Sequence, residues 1–216
     1  MNKNHTIRLE RESDYRTVEN LTREAFWNVY QPGCTEHYVL HCYRNNPDFI
    51  PELDFVMEIE GAGIIGHVMF SKAEIISDDG RHVPILTFGP ISIAPEYKRR
   101  GYGTELLGYA LAKAKELGYG AVFMEGNIDF YKHAGFSLAS GLHIHYHAEP
   151  RESEVPYFLG QELKAGYLEG LEGTYHTPQG YYVAMNDPAG FEEYEAGFPP
   201  KEKLVLPGQL TLMLNG

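Results

Sequence analysis

Residues 88–117 of the 216-residue chain read FGPISIAPEYKRRGYGTELLGYALAKAKEL and predict a strand, a basic turn and a helix, in that order. The β-branched run at 91–93 is typical of a strand, and Pro95 ends it because proline has no N–H to donate to a sheet. A turn at 98–103 follows, and then apolar residues recur at spacings of three and four, as on the buried face of a helix. These apolar residues are Leu106, Leu107, Ala110, Leu111, Ala114 and Leu117.

This order of elements favours the binding of a phosphate or pyrophosphate group at the turn. The first turn of a helix leaves backbone N–H groups unpaired and carries partial positive charge. Gly101 and Gly103 lack a Cβ, so a ligand can approach the backbone, and three cations precede them at 98–100. A basic loop without a ligand is the alternative. The residues after Gly103, TELLG, fit neither a P-loop nor a dinucleotide-binding fingerprint.

Residues 98–103 resemble motif A of the GCN5-related N-acetyltransferase (GNAT) superfamily, whose pattern is Q/R-x-x-G-x-G/A after a strand. Lys98 stands where the family usually has Gln or Arg. Residues 89–97, GPISIAPEY, are similar to the L-G-P-L-x-V-x-P-E-Y run of one bacterial branch, and the similarity continues at 127–136. The resemblance implies an α/β GNAT fold: a mixed, mostly antiparallel sheet with one splayed pair of parallel strands and flanking helices.

The resemblance also implies acetyl-CoA as the cofactor, with its pyrophosphate at the turn. The pantetheine arm would enter a gap between the strands at 88–93 and 121–125, and pair with free backbone groups of Ile91 and Ile93. Asn127 would contact the arm or cap the short helix after it, and both alternatives stay open. The implied cofactor-binding residues are Ile91, Ser92, Ile93, Lys98, Arg99, Arg100, Gly101, Tyr102, Gly103, Thr104, Asn127 and Tyr131.

Acetyl transfer to an amine needs a neutral amine, a polarised carbonyl and a proton or hydrogen bond for the departing thiolate. Residues 131–136 resemble the family's Y-x-x-x-G-F element, which implies that the Tyr131 hydroxyl lies near the thioester sulfur. A tyrosine packed in the core is the alternative. The general base stays open: Glu125 is one candidate, a water relay is another, and His67, Glu36 and His37 are further candidates.

The rest of the chain predicts elements around this centre. Segments 53–60, 64–76 and 82–93 read as a three-strand antiparallel meander. Ser13 is predicted to cap a helix that runs to about residue 28, and Thr35 to open a second helix. Further strands are predicted at 6–9, at 121–125, from residue 136 and at 156–163, with a short helix at 128–134.

Three histidines alternate near the end of this region, at His143, His145 and His147. On a strand, alternation places side chains on one face, where they could bind a metal. A solvated strand face is favoured, because no nearby Cys or second His pair completes a metal site. Cys34 and Cys42 suggest neither a disulfide framework nor zinc. We therefore predict no metal.

Length favours one domain, with or without an extension. The resemblance implies a GNAT catalytic domain at residues 1–150 and an extension at 151–216, which we expect to pack on that domain because it is rich in Tyr and Phe. The net charge of −12 disfavours nucleic-acid binding. No run approaches eighteen apolar residues, so we expect no membrane partner and a cytoplasmic protein. A homodimer stays open.

Two functions compete. The first is an acetyl-CoA-dependent N-acetyltransferase that acts by direct attack of a primary amine in a ternary complex. The acidic composition favours a small amine as acceptor, while a protein N-terminus or lysine stays open. The second is a non-catalytic acetyl-CoA-binding module that senses the cofactor or docks a partner. Tyr131 beside a usable acceptor pocket would discriminate between them.

Overall fold

The computed structural model describes residues 5–209, in which nine strands form one mixed sheet. The strands are β1 His5–Leu9, β2 Phe49–Ile59, β3 Gly63–Ser77, β4 His82–Ile93, β5 Ala121–Glu125, β6 Ser137–Leu138, β7 Ile144–Tyr146, β8 Phe158–Glu162 and β9 Gly173–Tyr175. The helices are α1 Tyr15–Phe26, α2 Glu36–Tyr43, α3 Tyr102–Glu116, α4 Ile128–Tyr131, α5 Val183–Asn186 and α6 Pro188–Glu195. None of these helices is long and apolar enough to cross a membrane.

The main sheet has the strand order β1-β2-β3-β4-β5-β8-β6. Strands β1 to β4 are antiparallel neighbours, and β4 pairs in parallel with β5 after the crossover through α3. At one end of the sheet, β9 pairs with β3 and also, in parallel, with β7. The α/β class, the mostly antiparallel sheet, the meander and the parallel β4–β5 pair predicted from the sequence are confirmed.

Each face of the sheet is covered by helices with a matching apolar face. Helix α3 packs its predicted stripe on β2 to β5, but Leu117 is 53% exposed because the helix ends at Glu116. On the opposite face, α1 and α2 pack on β2 and β3, with Val18 and Leu40 fully buried. The sheet therefore has an α3 face and an α1–α2 face, and these two terms are used below.

The start of the first helix differs from the prediction. Ser13 does not cap it, because Glu12–Asp14 form a 3₁₀ turn and α1 begins at Tyr15. Asp14 is the N-cap residue of α1, but its side chain makes no capping hydrogen bond to that helix. Its carboxylate accepts the Arg11 N–H at 2.9 Å, at the start of the 3₁₀ turn, and pairs with Arg8 at 2.6 Å. The Asp14 carboxylate thus stabilises the start of the 3₁₀ turn rather than the first turn of α1.

The prediction that His143, His145 and His147 share one strand face is wrong. Strand β7 spans Ile144–Tyr146, so only His145 lies in it, and His143 adopts a left-handed conformation at φ +60°. The ring of His147 instead stacks on that of His176 at 5.0 Å. The turn before β7 breaks the alternation that the spacing suggested.

The segment assigned to the extension contributes to the main sheet. Strand β8 lies between β5 and β6 and pairs with both in antiparallel fashion. Gly160 permits this, because a Cβ there would lie 2.3 Å from the ring of Phe123. The sheet thus includes residues on both sides of position 150, while the division of the chain at that position stays a prediction.

We expect Gly173→Ala to destabilise the protein by about 1–3 kcal/mol, because the added Cβ would lie 2.5 Å from the backbone oxygen of Ile76. Gly108→Ala is the matched control. It lies on the exposed side of α3 with nothing within 4 Å of a new Cβ, so it should stabilise by about 0.5–1 kcal/mol. Denaturant unfolding measures both, and equal effects would contradict the close packing of β9 on β3.

Candidate active site

The central feature is a gap between two parallel strands. Strand β5 follows β4 in the sheet, but the described residues pair only at Leu86 and Val122. Beyond that pair β4 continues to Ile93 without further pairing to β5, whereas β5 stays paired with β8 on its other edge along its whole length. The strands therefore separate, and the gap has one β4 edge and one β5 edge.

The register of β3 and β4 shows which backbone groups face the gap. Ala94 donates its N–H to the Ile65 oxygen at 2.8 Å, so these two residues form a hydrogen-bonded pair. In an antiparallel ladder such pairs alternate, which makes Ser92 and His67 the next one. The N–H and C=O groups of Ile91 and Ile93 then point away from β3, towards the gap.

A bulge in β4 lies at the start of this open edge. Val68 pairs with Ile91 and Phe70 with Phe88, so β4 has one residue more than β3 between these pairs. Gly89 in the bulge has φ +146°, which strongly favours glycine, and Pro90 has no N–H to leave unpaired. Bulges redirect a strand locally, and this one lies where β4 leaves β5.

The glycine turn leads from β4 into α3 with a local backbone conformation that suits an anion. Gly101 is the N-cap at φ +83° and Arg99 has φ +60°, both left-handed. Gly103 lies in the first turn of α3, where a Cβ would be 3.3 Å from Phe130 Cζ and 3.5 Å from Ile93 Cγ1. The N–H groups of the first turn are therefore approached through a narrow space bordered by the side chains of Phe130 and Ile93, which a residue larger than glycine would fill.

The side chains of the predicted cofactor residues are divided between the turn and α1. Lys98 Nζ donates to the Ala25 oxygen at 2.7 Å, and the Ser92 hydroxyl donates to Thr22 Oγ1 at 2.9 Å. These two hydrogen bonds hold α1 against β4 and the glycine turn. Because their side chains are engaged in this way, Lys98 and Ser92 can contact a ligand mainly through their backbone groups. Arg99, Arg100 and Thr104 are exposed, while Tyr102 is partly buried against His5 and Tyr97.

Tyr131 lies at the end of α4, on the α3 face of the gap. Its ring packs against Phe88 and Phe136, each at 5.8 Å between centroids. Gly126 makes room for it, since a Cβ there would lie 2.5 Å from the Tyr131 ring. Burial raises the pKa of Tyr131, and Tyr30 adds to this from the segment between α1 and α2. The phenol is therefore protonated at neutral pH.

Asn127 caps α4, because its Oδ1 accepts the Asp129 N–H at 2.8 Å. Glu125, two residues earlier, ends β5 and is exposed. Its Oε1 accepts a hydrogen bond from the Thr177 hydroxyl at 2.7 Å. In β5, Val122 and Met124 join the core under α3, so Glu125 points to the other face. Tyr131 and Glu125 thus lie on opposite faces at the gap.

The fold and the gap can now be compared with known proteins. A model of the Acetyltransferase (GNAT) family matches residues 18–136, more than half of the chain. This chain belongs to the GNAT acetyltransferase family. The family resemblance predicted from motif A is therefore confirmed. Comparison with curated protein sequences gives no significant match.

Solved structures of GNAT proteins share the fold at low identity. The chain is 22% identical to the GNAT family N-acetyltransferase YhbS from Escherichia coli, a CoA complex, with a TM-score of 0.71 over 84% of this chain and 93% of that one. A GNAT acetyltransferase from Brucella melitensis in complex with acetyl-CoA is 20% identical, with a TM-score of 0.64 over 83% and 99%. The ribosomal-protein-S18-alanine N-acetyltransferase from Escherichia coli is 15% identical, with a TM-score of 0.52 over 74% and 94%.

The other base candidates of this GNAT protein lie in buried polar contacts. His37 is fully buried, and its Nε2 lies 2.7 Å from Glu195 Oε2. Burial lowers its pKa to about 4. The Glu36 carboxylate accepts the Thr35 N–H at 2.9 Å, at the start of α2. Both side chains therefore stabilise the junction of α2 with its neighbours.

His67 belongs to a buried charge network on the α1–α2 face. Its Nε2 lies 2.7 Å from Asp54 Oδ1, and Arg44 donates two hydrogen bonds to Glu10. Glu10, Asp54 and His67 form the one group of three, among residues 5–209, whose possible metal-ligating atoms all lie within 4.8 Å of one another. The guanidinium of Arg44 already supplies positive charge there. Sequence reasoning missed this network, because its members come from separate elements.

Burial raises the pKa of Asp54 to about 6 and that of Glu10 to about 7, and it lowers that of His67 to about 4. For a carboxyl group whose pKa is higher in the folded than in the unfolded state, deprotonation is harder in the folded protein. Its stabilising contribution is then lost as the pH rises through the folded pKa. His67 has the opposite effect on the pH dependence of stability. Because its pKa is lower in the folded state, the stability that its neutral ring contributes is lost as the pH falls from 6.5 to about 4.

We therefore expect the wild type to lose about 1 kcal/mol more unfolding free energy than Asp54→Asn between pH 5 and pH 8. The asparagine keeps an oxygen for the His67 hydrogen bond but cannot ionise. Denaturant unfolding at several pH values measures the difference. Glu12→Gln, at an exposed acid, is the control and should follow the wild type. Parallel curves for Asp54→Asn and the wild type would contradict a protonated Asp54 in the folded state.

Proposed function

We propose that this protein transfers the acetyl group of acetyl-CoA to the primary amine of a small acceptor, by direct attack in a ternary complex. The observation that carries the proposal is the unpaired edge of β4 at Ile91 and Ile93, in a chain of the GNAT family. Buried backbone groups without a partner are costly. A ligand with amides of its own can satisfy them in the manner of an added strand.

The residues present fit acetyl-CoA. The N–H groups at the start of α3, with Gly101, Gly103 and the exposed Arg99 and Arg100, suit its pyrophosphate. The edge at Ile91 and Ile93 suits the amides of its arm. When bound, the cofactor supplies an activated acetyl group as a thioester. Lys98 and Ser92 act through α1, and Asn127 acts by holding α4 at the side of the gap.

Two side chains supply proton chemistry from opposite faces. Tyr131, whose pKa is raised by burial, keeps its proton and donates a hydrogen bond to the departing thiolate. Glu125 lies on the other face, is exposed, and accepts a proton from the acceptor's ammonium group, directly or through water, so that the neutral amine can attack. In the balanced reaction, the C–N bond forms, the C–S bond breaks, the thiol leaves and one proton is released.

For the cofactor site, we expect Gly103→Val to weaken CoA binding by about tenfold or more. A charge-assisted hydrogen bond is worth about 1.5–3 kcal/mol, and the new side chain would fill the approach beside Phe130. Gly108→Val makes the same change in the same helix, at a position where an added Cβ has no neighbour within 4 Å apart from the local helix backbone. Calorimetry should show unchanged CoA affinity for this control. Equal affinities of the two variants would exclude the pyrophosphate assignment.

For the thiolate donor, Tyr131→Phe should lower turnover by about 10²–10⁴-fold, because the hydroxyl acts mainly on the transition state. The ring and its packing stay, so CoA affinity and melting temperature should change little. Steady-state thiol release with a surrogate amine measures the rate. Wild-type turnover in this variant would indicate that Tyr131 only packs in the core. If the wild-type protein binds CoA but acetylates no amine, the alternative function of a cofactor sensor is favoured.

A further inference from the structure

An acid surrounded by phenols lies on the α1–α2 face at the open end of β5. The acid is Glu125, and the gap separates it from Tyr131 on the α3 face. Its negative charge acts on four tyrosine hydroxyls: after burial, which is the larger cause, it helps to raise the pKa of each. These tyrosines are Tyr146, Tyr157, Tyr175 and Tyr181.

The segment after β9 holds this acid in place. Thr177 donates its hydroxyl proton to Glu125 at 2.7 Å, and its oxygen lies 3.1 Å from the Tyr146 hydroxyl. A threonine hydroxyl has one proton, so Tyr146 donates to Thr177 and Thr177 donates to Glu125. Such a chain of hydrogen bonds strengthens each of its members and orients the carboxylate.

Tyr181, from the same segment, lies under the bulge of β4. Its ring is 3.9 Å from the position that a Cβ on Gly89 would take, and 4.9 Å from the ring of Tyr43. Its hydroxyl lies 3.4 Å from Ser71 Oγ on β3. The same segment therefore contacts the acid at the end of β5 through Thr177, and strand β3 through Tyr181.

The direction of approach follows from the two faces. On the α3 face, the rings of Phe88, Tyr131 and Phe136 pack on one another beside the gap. The glycine turn that suits the cofactor leads into the helix of that same face. A second substrate must reach the thioester from the α1–α2 face, where the carboxylate and the phenols lie.

We infer that residues 175–182 form the acceptor subsite, with Glu125 as its anion and Tyr181 as its wall. The subsite selects a primary ammonium on an apolar, aromatic body without a carboxylate. This inference rests on the proposed function. A cation between a carboxylate and tyrosine rings is stabilised by charge and by the ring faces, and an aromatic body packs on those rings. Glu125 repels an acceptor that carries its own carboxylate.

The test uses the full chain saturated with CoA, and 2-phenylethylamine as the probe. Phenylalanine is the matched probe, because it has the same body and amine with an added carboxylate. Calorimetry should detect 2-phenylethylamine with an affinity about tenfold or more above that for phenylalanine. Undetectable binding of 2-phenylethylamine, or equal binding of the two, would overturn the subsite.

Two variant pairs locate the binding. Tyr181→Leu should lower the affinity for 2-phenylethylamine by about tenfold, and Tyr181→Phe should lower it by about twofold at most. The affinity for CoA should be unchanged in both variants. Thr177→Val should lower the affinity for 2-phenylethylamine, whereas Thr177→Ser should leave it unchanged because serine keeps the hydroxyl. The second pair decides the question if Tyr181→Leu does not fold. Unchanged amine affinity in Thr177→Val would overturn the role of this segment.

The same samples separate this inference from the proposed function. Thiol release with 2-phenylethylamine reports transfer, while calorimetry reports the subsite without turnover. Amine binding without acetylation supports the subsite and contradicts the transferase. Acetylation of other amines, without binding of 2-phenylethylamine, supports the transferase and contradicts the subsite.

Discussion

The rest of the site depends on the early end of the ladder between β4 and β5. Among the described residues only Leu86 and Val122 pair between these strands, although β5 is paired along its whole length with β8 on its other edge. The bulge at Gly89 helps β4 to turn away at this point. A backbone edge is thus left open in the middle of a sheet, where backbone groups are normally paired. The strand that keeps the open edge also leads into the glycine turn at residues 98–103.

A second constraint is the attachment of α1 to β4 and to the turn. Thr22 accepts from Ser92 and the Ala25 carbonyl accepts from Lys98, so two residues of the motif hold a helix of the α1–α2 face. The far end of the chain adds to this, since Glu195 pairs with Arg23 and with His37 on one carboxylate. Removing one member of a buried ion pair costs more stability than the intact pair contributes, because the other charge is left without a partner. Such pairs therefore disfavour other positions of α1, α2 and α6.

The sequence predicted well those features whose causes are local. The strand, turn and helix at 88–117 follow from proline chemistry, glycine spacing and an apolar stripe within thirty residues. The predictions were wrong where the structure has a turn or a helix end that the local sequence pattern did not indicate. A 3₁₀ turn at Glu12–Asp14 replaces the cap predicted at Ser13, Leu117 lies beyond the last residue of α3, and a turn at His143 ends the histidine alternation.

By itself, the sequence determined the order of the elements, the glycine turn and the family, because these depend on residues that are neighbours in the chain. Only the tertiary structure decided that Tyr131 and Glu125 lie on opposite faces of one gap, that Thr177 orients Glu125, and that Lys98 binds α1. It also brought Glu10, Asp54 and His67 together from three separate strands and loops. The physical reason is that hydrogen bonds and burial act between atoms close in space, and strand pairing sets those distances across many residues of chain.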